Sequence, residues 1–235
     1  MNAQRYARVA GVLFLISLVA GGFGEGYMPS KLIVSGDAAA TVANLKNFNF
    51  LYRLGFAGFL IESFCDISLV LILYVLLKPV SKELSLLAAF IALTGTTLFA
   101  VAELFYFAPL LLMGDAGYLK TFSPDQLNTL VLLSLKFCAY AGMIFTAYYG
   151  VAWLIRSYLM YRSGYFPKFL AVLMGVGGLG FVVRNVLMIL APAYASDVFL
   201  MLLFPGGLIL TFWLIVKGID VPKWEARALQ ANNKQ

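Results

Sequence analysis

The stretch LYRLGFAGFLIESFCDISLVLILYVLL, residues 51–77, decides the fold of this chain. As a helix it would be about 40 Å long at 1.5 Å per residue, whereas the hydrocarbon core of a bilayer is about 30 Å thick. Most of its side chains are apolar, but Arg53, Glu62 and Asp66 interrupt the run. The stretch therefore predicts a membrane-spanning helix that carries ionisable groups at bilayer depth.

The whole chain has the composition of a membrane protein. Of its 235 residues, 62% are apolar and only 12% are charged, whereas soluble domains contain roughly 25% charged residues. Six segments are long and apolar enough to span a bilayer: about 7–25, 51–77, 84–112, 126–157, 166–190 and 198–217. We therefore predict an all-α integral membrane protein, a bundle of six transmembrane helices. The first segment resembles a signal peptide, but five more apolar runs follow, so we expect a retained span.

The connections contain recognisable helix boundaries. Ser123-Pro124-Asp125-Gln126 has the pattern of an N-cap, a proline in the first turn and a capping-box glutamine. In the connection 26–50, Asp37 precedes Val42, Leu45 and Phe48 at helical spacing, which predicts a short interfacial helix on the outer side. This helix is either an ordinary loop helix or a lid. We assign 1–225 to a single membrane domain and 226–235 to a polar cytoplasmic tail.

The basic residues predict the orientation. Positively charged side chains are enriched in cytoplasmic connections. One side of the predicted bundle carries eleven bases, namely Arg5, Arg8, Lys78, Lys82, Arg156, Arg162, Lys168, Lys217, Lys223, Arg227 and Lys234. The other side carries four, which are Lys31, Lys46, Arg53 and Lys120. We therefore place both termini in the cytoplasm.

Several kinds of chemistry are excluded or disfavoured. The chain contains no histidine, which removes His-ligated metal sites and every triad with an imidazole base. Cys65 and Cys138 lie in apolar runs without C-x-x-C spacing, so packing is the expected role. No nucleotide-binding loop is present, and we predict no metal, no cofactor and no catalytic residue. The net charge of +6 comes from bases in short connections, so we expect a lipid bilayer as the partner and no nucleic acid.

Charged residues inside the spans form the candidate site. A charge at bilayer depth costs about 2.5–3.5 kcal/mol, so such residues usually face a partner or a cavity. The ionisable groups lie from the predicted midplane outward, and Asn185 adjoins one of them. The candidate ligand-binding residues are Glu25, Arg53, Glu62, Asp66, Glu103, Lys136, Arg184 and Asn185.

The helical spacing indicates which way these side chains face. Glu62 and Asp66 are four residues apart and share a helix face. In the fifth predicted span, one helix face contains Gly177, Gly180 and Arg184. Small residues are typical of close contacts between transmembrane helices. Two interpretations follow: a buried salt-bridge network that fixes the helix register, or a polar pocket open to the extracytoplasmic side.

Four stretches of the chain carry a family resemblance: KLIVSGDAAATVANL (31–45), FLYRLG (50–55), CDISLVLILYVLLKPV (65–80) and YRSGYFPKFLAVLM (161–174). In sequence and order they resemble the bacterial membrane-protein family called domain of unknown function 4386. The resemblance implies a multi-pass protein of the bacterial cell (inner) membrane without an assigned activity. It also implies that Arg53, Cys65 and Asp66 belong to the family pattern, whereas Lys136 and Arg184 depart from it.

The charged pocket sets the functional expectation. We expect a non-enzymatic multi-pass membrane protein that binds, transports or senses a small polar solute or an ion. One alternative is a membrane-embedded enzyme that depends on carboxylates. Another is a structural or accessory subunit of a membrane complex, in which the charges form a buried salt-bridge network.

Overall fold

The computed structural model describes residues 2–233. Lys234 and Gln235, the last two residues of the predicted tail, lie outside the described residues. The described part of the chain has no β-strand and contains ten α-helices. They are α1 (Ala3–Gly21), α2 (Met28–Leu32), α3 (Ala38–Asn47), α4 (Asn49–Leu77), α5 (Lys82–Leu112), α6 (Pro124–Ser163), α7 (Lys168–Leu190), α8 (Val198–Met201), α9 (Leu203–Val216) and α10 (Val221–Asn232).

Six helical segments are long and apolar enough to cross a membrane, which confirms the predicted multi-pass helical fold. The segments are Ala3–Leu32, Asn49–Leu77, Lys82–Leu112, Pro124–Ser163, Lys168–Leu190 and Val198–Val216. The first is longer than predicted because a π-helix, Gly22–Tyr27, joins α1 to α2. The fourth is also longer, because α6 continues through Leu159 and Met160 to Ser163 before Gly164 takes a left-handed conformation with φ +78°.

The predicted caps are present at two helix starts. The Ser123 backbone N–H donates to Gln126 Oε1 at 2.8 Å, and the Gln126 N–H donates to Ser123 Oγ at 3.3 Å, so α6 begins with a capping box. Asp37 Oδ1 accepts from the Ala40 N–H at 2.8 Å and caps α3. The short helix predicted within 26–50 is therefore confirmed, although its position at the outer surface stays a prediction.

The chain forms two compact units. The first unit consists of the residues up to Leu15, Cys65–Thr96 and the chain from Ile144 onward. The second unit consists of Ile16–Phe64 and Thr97–Met143. Helices α1, α4, α5 and α6 contribute to both units, whereas α7 to α10 belong to the first.

The first unit is built around an apolar core. Phe14, Leu73, Trp153, Met160 and Leu170 are among its buried members. Burial of an aliphatic or aromatic side chain stabilises a fold by about 1.5–3 kcal/mol in water. Within a bilayer, close packing of the helices supplies much of the stabilisation instead.

Two polar side chains tie the C-terminal helix and the α6–α7 connection to this core. The Tyr165 hydroxyl donates to the Leu76 carbonyl at 2.7 Å, and Trp224 Nε1 donates to the same carbonyl at 3.0 Å. Leu76 lies in the last turn of α4, where carbonyls lack helical partners. Because Trp224 is buried, α10 packs against the core of its own unit. The helix continues to Asn232.

The glycines of α7 bring helices into close contact. A Cβ atom at Gly177 would lie 2.5 Å from the Leu203 Cα, and one at Gly180 would lie 2.5 Å from the Phe199 carbonyl oxygen. The predicted role of the glycine face of α7 in helix packing is therefore confirmed.

Candidate functional site

The candidate residues are divided between the two units. Glu25, Arg53, Glu62, Glu103 and Lys136 belong to the second unit. Asp66, Arg184 and Asn185 belong to the first. Each group is therefore built from the helices of its own unit.

Glu103 is the most deeply buried acid of the second unit. It lies in α5, nine residues before the helix ends at Leu112, and its exposed fraction is 3%. The Ser63 hydroxyl on α4 donates to Glu103 Oε1 at 3.0 Å. Within residues 2–233, Glu103 forms no salt bridge with a basic side chain. Its carboxylate is thus held by a neutral donor inside a membrane span.

Glu62 occupies a niche that a glycine leaves open. Glu62 is buried on α4, one residue before Ser63. A Cβ atom at Gly21 would lie 2.5–2.7 Å from the carboxyl atoms of Glu62. The absence of a side chain at the end of α1 therefore lets the carboxyl group of Glu62 approach that helix.

Glu25 lies in the π-helix that follows α1. Its side chain is exposed, and π-helical turns occur frequently at functional sites. The charges of Glu25 and Glu103 both act on the thiol of Cys138, which also contacts the backbone of Tyr106. An exposed acid and a buried acid therefore lie near Cys138, for which the sequence predicts only a packing role.

A pair of stacked tyrosines adjoins these acids. The rings of Tyr52 and Tyr106 lie 4.4 Å apart, and Phe59 packs edge-on against Tyr106 at 4.8 Å. The Tyr52 hydroxyl donates to the Tyr106 carbonyl, and the Tyr106 hydroxyl donates to the Tyr52 carbonyl at 3.3 Å. These reciprocal hydrogen bonds fix α4 against α5 beside Glu103.

The two candidate bases of the second unit are exposed. Lys136 lies on the exposed side of α6, next to exposed Phe137. Arg53 is exposed, and its Nε donates to Asn49 Oδ1 at 2.8 Å. In the described part of the chain, the buried carboxyl group of Glu103 therefore forms no salt bridge with either base, so the charges of this unit are not paired one to one.

In the first unit, Arg184 and its neighbour Asn185 have separate partners. Arg184 Nη2 lies 2.8 Å from Asp197 Oδ1, and the Asp197 side chain is 78% exposed. Buried Asn185 donates from Nδ2 to Thr146 Oγ1 at 3.0 Å and to the Phe181 carbonyl at 2.7 Å. Arg184 is thus paired with an acid in the connection after α7, whereas the sequence had suggested acids within the spans.

Asp66 is buried in α4, and its charge acts on a base that the sequence predicts at the cytoplasmic end of the fourth span. This residue is Arg156 of α6, which is only 3% exposed. The position of Arg156 on the cytoplasmic side stays a prediction, but its side chain is buried in the protein. One buried base therefore lies within a span, near its C-terminal end. The apolar residues up to Met160 were the signal that the span continues.

A surface cleft of about 340 Å³ lies elsewhere in the second unit. Lys46, Asp115, Lys120 and Asn128 contribute its polar side chains. None of the eight candidate residues lines this cleft, so it is separate from the buried acids.

Comparisons with known proteins agree with the family resemblance. An Archaeoglobus fulgidus protein named "Uncharacterized protein" is 26% identical over 158 residues, which are 65% of this chain and 76% of that protein. No solved structure matches the chain. Residues 9–218 match the family described as Domain of unknown function (DUF4386), and the chain therefore belongs to this family.

Proposed function

We propose that this protein is a non-enzymatic membrane protein that binds a proton or a small cation at Glu103, within a polar pocket open to the extracytoplasmic side. The observation that carries the proposal is Glu103, a buried residue in a span whose carboxyl group is hydrogen-bonded only to a neutral serine in the described part of the chain. An ionised carboxylate in such surroundings costs several kcal/mol unless a positive charge compensates it. A proton or a cation would supply that compensation.

The exposed Glu25 is the residue from which we expect a proton or cation to reach Glu103. Its charge and that of Glu103 act on the same Cys138 thiol, so an acid at the surface and an acid in the interior are electrostatically linked to one position. Acids in series are typical of proton and cation pathways through membrane proteins. The π-helix around Glu25 interrupts the regular hydrogen bonds of the first span, and such irregular turns are frequent at functional sites.

A hydrophobic carbodiimide tests the state of the buried acid. This reagent reacts with protonated carboxyl groups in apolar surroundings and forms a stable adduct that mass spectrometry can locate. We expect an adduct on Glu103 in the wild-type protein, slower modification at high sodium or ammonium concentration, and no adduct at this position in Glu103→Gln. Glu83, in the first turn of the same helix, is exposed and serves as an internal control that should not react.

Proteoliposomes containing a pH-sensitive dye test the consequence for ion movement. An imposed pH or sodium gradient should dissipate faster with the wild-type protein and with Glu83→Gln than with Glu103→Gln. Equal rates for all three proteins, together with a cation-independent carbodiimide reaction, would contradict the proposal. Glu103→Gln keeps an acceptor for Ser63, so the variant should fold.

A further inference from the structure

Two buried hydrogen-bond donors lie together on α6. Trp153 and Arg156 are three residues apart and therefore share a helix face. Trp153 is fully buried and Arg156 is 97% buried. Within residues 2–233, neither Trp153 Nε1 nor Arg156 Nη2 has a hydrogen-bond partner. The protein thus presents two unsatisfied donors at one position in its interior.

The guanidinium group is held in place by the indole ring. Arg156 Cζ lies 5.3 Å from the centroid of the Trp153 ring, which is a cation–π contact. Phe14 and Tyr149 pack against the same indole, with ring centroids at 5.7 and 6.1 Å. The rings position the indole, and both side chains are buried.

A buried acid, Asp66, acts on Arg156 but accepts no hydrogen bond from either of these two donor atoms. The charge of Asp66 acts on Arg156, which reduces the cost of burying the guanidinium. The two donor atoms, Trp153 Nε1 and Arg156 Nη2, nevertheless have no acceptor in the described part of the chain. A buried donor without an acceptor costs about 1–3 kcal/mol, and more when it is charged. The missing component is therefore an acceptor.

We propose that Trp153 Nε1 and Arg156 Nη2 bind a small anion, a halide or the oxyanion of a small carboxylate or phosphate. Such an anion would accept from both donors, and the low-dielectric surroundings would strengthen both hydrogen bonds. This site is distinct from the Glu103 site because it belongs to the first unit and selects the opposite charge. It lies about two turns, or roughly 10 Å, before the end of α6, on the predicted cytoplasmic half of the span.

A thermal-unfolding titration of the full chain in detergent tests the proposal. The probes are sodium bromide, sodium formate and sodium phosphate, each compared at equal ionic strength with the sodium salt of a bulky sulfonate buffer. A ligand that binds only the folded state raises Tm in a saturable way. We expect this rise with at least one probe for the wild-type protein, and its loss in Arg156→Gln.

Arg162→Gln is the matched control. Arg162 is on the same helix and its Cζ also lies over an aromatic ring, that of Tyr158 at 6.0 Å, but its side chain is exposed. The control should keep the anion-dependent rise. If Arg156→Gln fails to fold, Trp153→Phe decides the outcome, because it keeps a ring beneath the guanidinium and removes only the Nε1 donor. We expect about tenfold weaker anion binding in Trp153→Phe, since one hydrogen bond to a charged group is lost.

Two outcomes would overturn the inference. One is a wild-type Tm that does not depend on the anion, as expected if a water molecule alone satisfies the two donors. The other is an anion-dependent rise of equal size in the wild-type protein and in Trp153→Phe, which would place the bound anion elsewhere.

Discussion

The Ser63 hydroxyl donates a 3.0 Å hydrogen bond to the Glu103 carboxyl group and thereby joins α4 to α5 inside the second unit. Both residues are buried, so the loss of this donor leaves the acid without its neutral partner. We expect Ser63→Ala to lower the free energy of unfolding by about 1–3 kcal/mol. Thermal or chemical unfolding in detergent would measure the change.

Ser134→Ala is the control for this substitution. Ser134 is also buried, but its hydroxyl donates to the Val131 carbonyl of its own helix at 2.8 Å. Since that carbonyl also belongs to the backbone hydrogen bonds of the helix, Ser134→Ala should cost less than Ser63→Ala. Equal losses for the two variants would mean that the contact with Glu103 contributes nothing specific.

Arg184 should contribute little to stability. The Arg184 side chain is 16% exposed, but its partner Asp197 is 78% exposed, and ion pairs open to solvent contribute about 0–1 kcal/mol. From the sequence alone, Arg184→Leu would be expected to leave acids unpaired in the bundle at a cost of about 1–3 kcal/mol. The structural pairing favours the smaller value. A double-mutant cycle with Arg184→Leu and Asp197→Leu should give a coupling energy below about 1 kcal/mol, and a larger coupling would indicate a desolvated pair.

Replacing a glycine by alanine should have opposite effects on stability in α7 and in α9. At Gly177 the new Cβ would lie 2.5 Å from the backbone of Leu203, so the helices must separate, and we expect Gly177→Ala to cost about 1–3 kcal/mol. A Cβ at Gly207 would meet no atom within 4 Å, and alanine is the better helix former. Gly207→Ala should therefore be neutral or stabilise by up to about 1 kcal/mol. The same sign for both variants in unfolding measurements would contradict the packing described for α7.

The residue types and their periodicity were sufficient to predict the helices, their caps and the packing role of the glycines in α7. The capping box at Ser123 and Gln126 depends on neighbours along one chain segment, which a sequence displays directly. Contacts between helices depend on rotation and tilt, which a sequence does not display. The partner of Arg184 could not be predicted for that reason, because Asp197 lies in the connection after its own helix.

Arg156 shows a second limit of sequence reasoning. A base near the C-terminal end of an apolar run is typical of a cytoplasmic connection, so the sequence does not predict that Arg156 is buried. The breaking signal at Gly164 and Pro167 lies further along the chain, so α6 continues for two turns beyond Arg156. The buried donors of Trp153 and Arg156 became apparent only in the structure.

The predicted orientation can be tested by cysteine labelling. In a background lacking Cys65 and Cys138, single cysteines at the exposed positions Ser35 and Gly117 should react with an impermeant thiol reagent in intact cells. A cysteine at Gln230, which is exposed on α10, should react only after lysis. Labelling of Gln230→Cys in intact cells, with protection of Ser35→Cys, would reverse the assignment.

The packing of α10 should depend on pH through Asp220. Hydrogen bonds from the side chain and the backbone N–H of Lys223 hold the pKa of Asp220 below its ordinary value of 3.8, and the carboxylate also begins α10 as its N-cap. Because the folded state has the lower pKa, this carboxylate stabilises α10 fully above pH 3.8, and the contribution is lost as the pH falls through the lower value of the folded state.

The fluorescence of Trp224 should report this change, because its buried indole donates to the Leu76 carbonyl only while α10 is packed against the core. We expect Asp220→Ala to weaken the packing of α10 at all pH values, because it removes both the cap and the titrating group. Asp220→Asn keeps a capping oxygen but cannot titrate, so it should flatten the pH dependence below 3.8 without removing the helix. Since Trp153 and Trp213 also fluoresce, the Trp224→Phe variant gives the background signal to subtract. An unchanged acid transition in Asp220→Asn would assign the pH dependence to another group.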